Sequence, residues 1–266
     1  MKLTAVVNFK ILFSVIAITG IVLISFAFTN PINPKEKYVF IVGVADYQGV
    51  ENDLNFSDDD AVLFYNKMRK LGVKKENMIL LLDKNATRNN IENKMRNLFL
   101  KADENDQVIF YFSGHGSKGY FLPHDYNNLL SHKTVKNIFK QSKAKKKICF
   151  ADACYSGSIR NKNKSKGVKQ TDSYTLKQDI NGGVAVIMSS TGYETSLEMG
   201  NLGQGVFSYY LLNGLSGKAD LNSDKTITIV ELYEYTKRNV VRKTNGRQNP
   251  IIFGNFNVNM PILKRK

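Results

Sequence analysis

Cysteine is scarce in this sequence, which contains only Cys149 and Cys154 among its 266 residues. Cys149 lies in an apolar run that ends at Phe150, and five extended residues would separate the two sulfur atoms by about 16 Å. That separation is too long for a disulfide bond unless the strand collapses. We therefore expect Cys149 to be a core residue and Cys154 to be a free thiol, which calls for a chemical reason.

The sequence also lacks any signature of a nucleic-acid-binding protein and any internal repeat. Its formal charge of +15 is large, but Lys and Arg are scattered over predicted helices and loops, without an RNA-binding or helix-turn-helix motif beside them. A solvated basic surface is the commoner explanation of such a charge, so nucleic acid is not the expected partner. With 42% hydrophobic and 23% charged residues, the composition argues against disorder and is sufficient for a core without disulfides or metals.

Long apolar runs are absent except for one near the N-terminus, from Ile11 to Phe28, which follows Lys2 and Lys10. Eighteen helical residues span about 27 Å, just enough to cross the hydrocarbon core of a membrane. The positive flank predicts that the chain after this run is exported. Because Ser25-Phe26-Ala27 resembles a signal-peptidase site, residues 1–30 are either a membrane anchor or a cleaved signal peptide. The expected location is outside the membrane, tethered to it, or secreted or periplasmic after cleavage.

After a linker at 31–37, apolar runs of strand length alternate with amphipathic helical segments up to about residue 257. Such alternation predicts an α/β domain, with a mostly parallel six-stranded sheet between two layers of helices. The predicted strands are Tyr38–Val44, Asn77–Leu82, Gln107–Phe112, Lys147–Ala151, Val184–Ser189 and Ile251–Phe253. The predicted helices are Asp58–Leu71, Thr87–Leu100, Ser131–Gln141, Gly205–Leu215 and Ile229–Val241.

Two basic segments do not fit this alternation. Residues 159–178 are polar and rich in lysine, and structureless loops of that length in a compact domain are usually functional or disordered. Residues 258–266 are expected to form a basic C-terminal tail.

Two strand ends carry unusual chemistry. The third strand runs into Ser113-Gly114-His115-Gly116, and the fourth runs into Asp152-Ala153-Cys154-Tyr155-Ser156-Gly157. If these strands are neighbours, His115 and Cys154 emerge at the same edge of the sheet, where ligands gather in doubly wound folds. An imidazole beside a thiol can form the thiolate that attacks a carbonyl carbon. The backbone N–H groups of Gly116 and Cys154 would then stabilise the tetrahedral oxyanion.

These two boxes resemble those of the caspase-like peptidases, which include metacaspases, paracaspases and bacterial caspase homologues. Further similarities are Tyr38–Tyr47 as the first strand, Asp59-Asp60-Ala61 at the first helix, Ala86-Thr87-Arg88 before the second, and Leu122-Pro123-x-Asp125. The likeness covers about 38–253. It implies the caspase-like α/β/α fold, and a cysteine endopeptidase that uses His115 and Cys154.

The resemblance also implies a substrate pocket. Asp60 and Asp152 stand where metacaspases line the pocket for the residue before the cleaved bond, and Ser189 and Ser190 stand where the family aligns the substrate backbone. Two carboxylates would select Lys or Arg through charge-assisted hydrogen bonds. Two simpler interpretations remain open: first-turn helix acids favoured by the dipole for Asp60, and a turn or cap for Asp152.

No cofactor is required by this chemistry, but a calcium loop is possible at 220–231. Asp220, Asn222, Asp224, Thr226 and Glu231 fit EF-hand spacing between two predicted helices. Lys225 replaces the glycine of the sharp turn, and caspase-like bacterial proteins often have a similar stretch, so a family turn with a helix cap is the alternative.

Three further interpretations complete the predictions. Gly114–Gly119 formally matches the dinucleotide fingerprint G-x-G-x-x-G, but Tyr120–Pro123 reads as extended where that motif requires a helix. The basic loop 159–178 is either a solvated loop or a self-cleavage site. The protein itself is either a peptidase or an inactive caspase-like module that binds basic peptides or partner proteins at a membrane.

Overall fold

The computed structural model describes residues 36–48, 53–153, 183–191 and 196–264. The strands, in chain order, are Lys37–Gly43 (β1), Met78–Leu82 (β2), Gln107–Ser113 (β3), Gly116–Ser117 (β4), Tyr120–Phe121 (β5), Leu130–Ser131 (β6), Lys146–Asp152 (β7), Gly183–Met188 (β8), Glu198–Met199 (β9), Gln204–Gly205 (β10), Thr226–Thr228 (β11), Ile251–Phe256 (β12) and Pro261–Lys264 (β13). The α-helices are Ser57–Lys70 (α1), Arg88–Phe99 (α2), His132–Gln141 (α3), Val206–Asn213 (α4) and Ile229–Lys243 (α5).

Six strands form the central sheet, in the order β12-β8-β7-β3-β1-β2. The pairs among β8, β7, β3, β1 and β2 are parallel, whereas the edge strand β12 runs antiparallel to β8. The prediction of a mostly parallel six-stranded sheet is therefore confirmed. The direction of β12 could not be predicted, because it depends on how the chain returns after α5 and not on a local pattern.

The sheet is covered on both faces, which explains why its central strands are almost continuously apolar. All seven residues of β3 are buried. Val39 and Ile41 pack into a core with α1, α4 and α5, while the alternate residues Phe40 and Val42 pack into a second core with α2 and α3. Because successive side chains of a strand point to opposite faces, each apolar run supplies both cores.

The helices begin where the sequence places capping residues. The Thr87 side chain accepts from the Asn90 N–H at the start of α2, and the Ser131 side chain accepts from the Thr134 N–H at the start of α3. The helices lie within one or two residues of their predicted bounds, and α4 ends at Asn213, where a π-helical turn over Gly214–Lys218 follows, with Gly217 at φ 115°.

The short strands were not predicted. β4, β5 and β6 form a small antiparallel sheet, so the G-x-G-x-x-G match contains β4 and the turn after it, and a strand follows in place of the helix of a dinucleotide site. β11 pairs with β13, and Ile262 and Leu263 of β13 are buried, so the folded domain extends past residue 257 into the segment predicted as a tail.

Several predictions fall outside the described residues, namely those on the N-terminal run 11–28, the basic loop 159–178 and Cys154. Within the ranges that the structure does describe, no helix has both the length and the apolar character needed to span a bilayer.

Candidate active site

The edge predicted to carry the chemistry is formed by the carboxyl ends of β3 and β7. These strands are parallel neighbours, with Ser113 directly opposite Asp152. The Gly114 N–H donates to the Asp152 carbonyl oxygen at 3.1 Å, which joins the two strand ends just beyond the ladder. His115 follows one strand, and Cys154, outside the described residues, comes two positions after the last residue of the other.

His115 lies in a short segment whose backbone is fixed on both sides. Its N–H donates to Tyr47 Oη at 2.6 Å, and its carbonyl oxygen accepts from the Leu122 N–H at 3.0 Å. Gly116, the predicted oxyanion donor, begins β4 and pairs with Phe121 of the adjoining hairpin. The position of the imidazole therefore depends on the loop after β1 and on the β4–β5 hairpin.

Asp60 is the deepest acidic residue of α1, although Asp58 and Asp59 share its first turn. Its side chain is almost fully buried, at 1% exposure, whereas Asp59 is exposed. Asp60 Oδ2 accepts from the Gly205 N–H at 3.1 Å, and Oδ1 accepts from Gln204 Nε2 at 3.4 Å. Interaction with the helix dipole does not explain this burial, because Asp58 and Asp59 lie in the same turn and only Asp60 is buried.

Asp152, the last residue of β7, is also buried and is held by more donors. Its Oδ2 accepts from the Ser208 N–H at 3.2 Å and from Ser208 Oγ at 2.7 Å, and its Oδ1 accepts from Ser196 Oγ. Ser208 Oγ is in turn 2.6 Å from Tyr111 Oη. Since Ser208 lies in the first turn of α4, the carboxylate also faces the positive end of that helix.

Gly205 lies between the two carboxylates. A methyl group at this position would be 2.8 Å from Asp60 Oδ2 and 2.7 Å from Asp152 Oδ2. The backbone of Gly205 has φ −59°, so its conformation does not require glycine and the constraint is one of space. Residues from α1, β7 and the start of α4 therefore converge on one buried acidic cluster.

No cation balances these two acids within the described ranges, where the ion pairs involve only Glu36, Glu92 and Glu104. Burial, together with the charge of Asp152, raises the pKa of Asp60 to about 9, although the hydrogen bonds from Gly205 and Gln204 oppose that rise. Burial also raises the pKa of Asp152, but the hydrogen bonds from Ser196 and Ser208 oppose that rise. Since the pKa of Asp60 lies near 9, the pair of acids holds a proton at neutral pH.

Ser189 and Ser190, both fully buried, follow β8 at the same edge. Ser189 Oγ accepts from the Ala153 N–H at 3.1 Å and lies 3.3 Å from the Ala153 carbonyl oxygen as a donor. The hydroxyl of Ser189 therefore fixes the backbone immediately before Cys154.

Gln248 is a residue of this site that the sequence did not reveal. It is fully buried, and its Nε2 donates to the Ser189 carbonyl oxygen at 3.0 Å and to Ser196 Oγ at 3.3 Å. Its Oε1 accepts from the Leu197 N–H at 3.1 Å. One amide thus connects the end of β8 with the segment that reaches Asp152. A single Gln in a polar stretch has no recognisable pattern, so no sequence signal could have identified it.

The candidate calcium loop forms a tight turn stabilised by its own side chains. Asp220 Oδ2 accepts from the Lys225 N–H at 3.2 Å, and Lys225 has a left-handed φ of 65° in place of the expected glycine. Glu231 bonds to the N–H and hydroxyl of Thr228 in a capping box at the start of α5. Among the described residues, no group of three or more His, Cys, Asp or Glu side chains is arranged to hold a metal.

Cys149 packs in the core, as predicted. It is 2% exposed, and burial raises the pKa of its thiol to about 12. This cysteine is therefore neither a nucleophile nor a redox partner at neutral pH.

The fold of the domain resembles that of a solved structure, and its sequence matches a known protein family. The crystal structure of protein GSU0716 from Geobacter sulfurreducens superposes with a TM-score of 0.60 at 15% sequence identity, over 84% of this chain and 94% of that one. No curated protein has a significant sequence match to this chain. The caspase domain family of C14 peptidases matches residues 36–259, which contain the whole central sheet, His115 and the buried acids Asp60 and Asp152. The chain therefore belongs to the caspase domain family of peptidases.

Proposed function

We propose that this protein is a cysteine endopeptidase that cleaves after Lys or Arg, with His115 and Cys154 as its catalytic pair. One observation carries the specificity: Asp60 and Asp152 converge, buried, on Gly205, beside the strand ends that lead to His115 and Cys154. A pocket of this kind suits a cation and would reject an acidic side chain.

The electrostatics of the pocket support a basic substrate residue. The nearest groups that affect the pKa of Asp60 through their charge, Asp152 and Glu198, are both acidic. A guanidinium or ammonium group that enters would supply the missing positive charge and hydrogen-bond donors. It would also lower the pKa of Asp60, since a nearby cation favours the carboxylate form. Binding of a basic residue is thus coupled to loss of the Asp60 proton.

The chemical steps use groups at the edge formed by β3 and β7. His115 takes the proton of the Cys154 thiol, and the thiolate attacks the carbonyl carbon of the scissile peptide bond. The N–H groups of Gly116 and Cys154 hold the resulting oxyanion. The amine leaves with a proton from His115, and water then hydrolyses the thioester, giving its proton to His115 and releasing the acid and the thiol.

Three further features belong to this proposal. Residues 11–28 tether the enzyme to a membrane or direct its export. The lysine-rich loop 159–178 is a substrate of the enzyme itself, because it offers basic residues close in sequence to Cys154. Calcium at 220–231 is a possible ligand whose effect the assay below measures.

The test is hydrolysis of short fluorogenic peptides that end in Arg, Lys or Asp, by the full chain in detergent, with and without calcium. We expect cleavage after Arg and Lys that disappears in Cys154→Ala, together with conversion of the chain to fragments cut within 159–178. Cleavage after Asp alone would refute the basic specificity. No hydrolysis, with Cys154 also inert to iodoacetamide, would favour the inactive binding module.

A further inference from the structure

Tyr47, in the loop after β1, is in direct contact with His115. The phenol is buried, at 2% exposure, and its ring centroid lies 4.9 Å from that of the imidazole, with an angle of 40° between the planes. Its Oη accepts the His115 N–H at 2.6 Å. One side chain therefore contacts both the ring and the backbone of the same histidine.

The hydrogen bonds of Tyr47 link His115 to the hairpin on its other side. Tyr47 Oη donates to the Leu122 carbonyl oxygen, at 3.4 Å, and the Leu122 N–H donates to the His115 carbonyl oxygen, at 3.0 Å. The phenolic hydroxyl thus donates its proton to the Leu122 carbonyl oxygen in the hairpin and accepts the N–H of His115. This arrangement restrains the segment that carries the imidazole from both ends.

The residue between β3 and His115 is adapted to this contact. Gly114 has a φ of +154°, and a Cβ at this position would be 2.7 Å from Tyr47 Oη. Only glycine leaves room for the phenol to reach the His115 N–H. The flanking glycine of the His box therefore serves a contact with Tyr47.

The backbone at and before Tyr47 is itself held by hydrogen bonds to two aspartates. Its N–H donates to Asp53 Oδ1 at 3.0 Å, and the neighbouring Ala45 and Asp46 N–H groups donate to Asp83 Oδ1 at 2.9 and 3.1 Å. The bonds to Asp83 attach the loop after β1 to the segment after β2, and the bond to Asp53 joins two residues of the loop itself. The phenol is accordingly presented by a braced loop, which a positioning group requires.

We propose that Tyr47 is a positioning residue for His115, which fixes the imidazole for proton transfer with Cys154. The inference rests on the proposed peptidase function, but the structural contact can be tested separately. The hydroxyl fixes the position of the His115 backbone through its hydrogen bond, and the ring limits rotation of the imidazole.

The decisive variant is Tyr47→Phe, which keeps the ring and removes only Oη. Tyr126→Phe is its matched control, because the Tyr126 ring packs edge-on against Tyr47 at 6.2 Å and is 39% exposed. We expect Tyr47→Phe to lower kcat on the Arg peptide by about 10- to 100-fold with KM within about twofold, as displacement of a catalytic group predicts. Tyr126→Phe should leave both constants at the wild-type values.

The rate of Cys154 alkylation by iodoacetamide, measured against pH, gives a readout that does not need peptide hydrolysis. Cys154→Ala supplies the background. We expect Tyr47→Phe to move the midpoint of alkylation up by about one pH unit, towards the value of an unassisted thiol. Equal profiles for wild type and Tyr47→Phe would overturn the positioning role, even if the wild type cleaves peptides. If the wild type cleaves no peptide but Tyr47→Phe still shifts the alkylation profile relative to it, the positioning role is supported and the peptidase function is rejected.

Amide hydrogen exchange of the wild type covers the case in which Tyr47→Phe does not fold. The His115 N–H should exchange slowly, with the protection of a buried hydrogen bond. Exchange at the rate of an exposed loop amide would show that the Tyr47 contact is not maintained in solution and would refute the proposal.

Discussion

Two buried titratable sites of this domain, the acidic pair Asp60–Asp152 and the single His132, are placed in opposite environments. The acids accept hydrogen bonds from Ser196, Gln204, Gly205 and Ser208. His132, at the start of α3, packs its ring 4.5 Å from that of Phe121, and within the described part of the chain neither ring nitrogen has a hydrogen-bond partner.

The pKa values follow these environments. Burial lowers the pKa of His132 to about 3, so its imidazole is neutral and behaves as an aromatic core residue. Burial and mutual repulsion raise the pKa of Asp60 to about 9, yet polar groups from three segments are gathered around it. Hydrogen-bond donors gathered around two repelling acids agree with the proposed site for a basic residue, whereas the apolar surroundings of His132 are those of a core residue.

The largest expected effect comes from removing a charge of the acidic pair. Asp152→Asn and Asp60→Asn should each lower kcat/KM for the Arg peptide by about 100-fold or more, since a buried cation would lose its charged partner. The measurement is steady-state hydrolysis, with circular dichroism to verify folding. Asp59→Asn, on the same helical turn but exposed, is the matched control and should retain wild-type activity. Equal activity of Asp60→Asn and Asp59→Asn would exclude Asp60 from the pocket.

The next effect should come from filling the space between the two acids. Gly205→Ala would place a methyl group within 2.8 Å of both carboxylates, and we expect KM for the Arg peptide to rise by roughly 30-fold, because packed sites tolerate added carbons poorly. Gly200→Ala is the control, because a methyl group there has no neighbour within 4 Å. A Gly205→Ala enzyme with wild-type KM would place the substrate side chain elsewhere.

A smaller effect is expected from pH. Because Asp60 is protonated below a pKa of about 9 and a bound cation favours its ionised form, KM for an Arg peptide should fall as the pH rises from 6.5 towards 9. The fall is limited to about tenfold per pH unit, and we expect about tenfold overall. Arg is preferred to Lys in this test because it stays charged throughout. In Asp60→Asn, KM for the Arg peptide should not change with pH. If KM falls in that variant as it does in the wild type, the titration belongs to another group.

The smallest effect concerns stability at His132. An unfolded histidine titrates near pH 6.5 and the folded one near 3, so the unfolded state binds more protons between these values. The free energy of unfolding should therefore decrease as the pH falls below 6.5, by at most about 1.4 kcal/mol per unit from this residue. The free energy of unfolding, measured with urea at pH 7.5, 6 and 4.5, should decline less steeply with falling pH in His132→Phe than in the wild type. Parallel curves would show that His132 is solvated or paired.

The order and type of the main elements were determined by the sequence alone. The apolar run of β3 and the spacing of Ile91, Met95 and Leu98 in α2 are local patterns, and burial of one face follows directly from them. The caps Thr87 and Ser131 also act within one helical turn. For the same reason the sequence placed His115 at a strand end, where the structure has it, while Cys154 and the N-terminal run remain predictions.

Only the tertiary structure decided which distant residues meet. Gly205 lies 145 residues after Asp60, with Asp152 between them in sequence, and the convergence of the three depends on the packing of α1, β7 and α4 rather than on any one segment. The contact of Tyr47 with His115, the role of Gln248 and the antiparallel direction of β12 have the same origin. A sequence pattern specifies how a segment buries its own side chains, but not which other segment will lie against it.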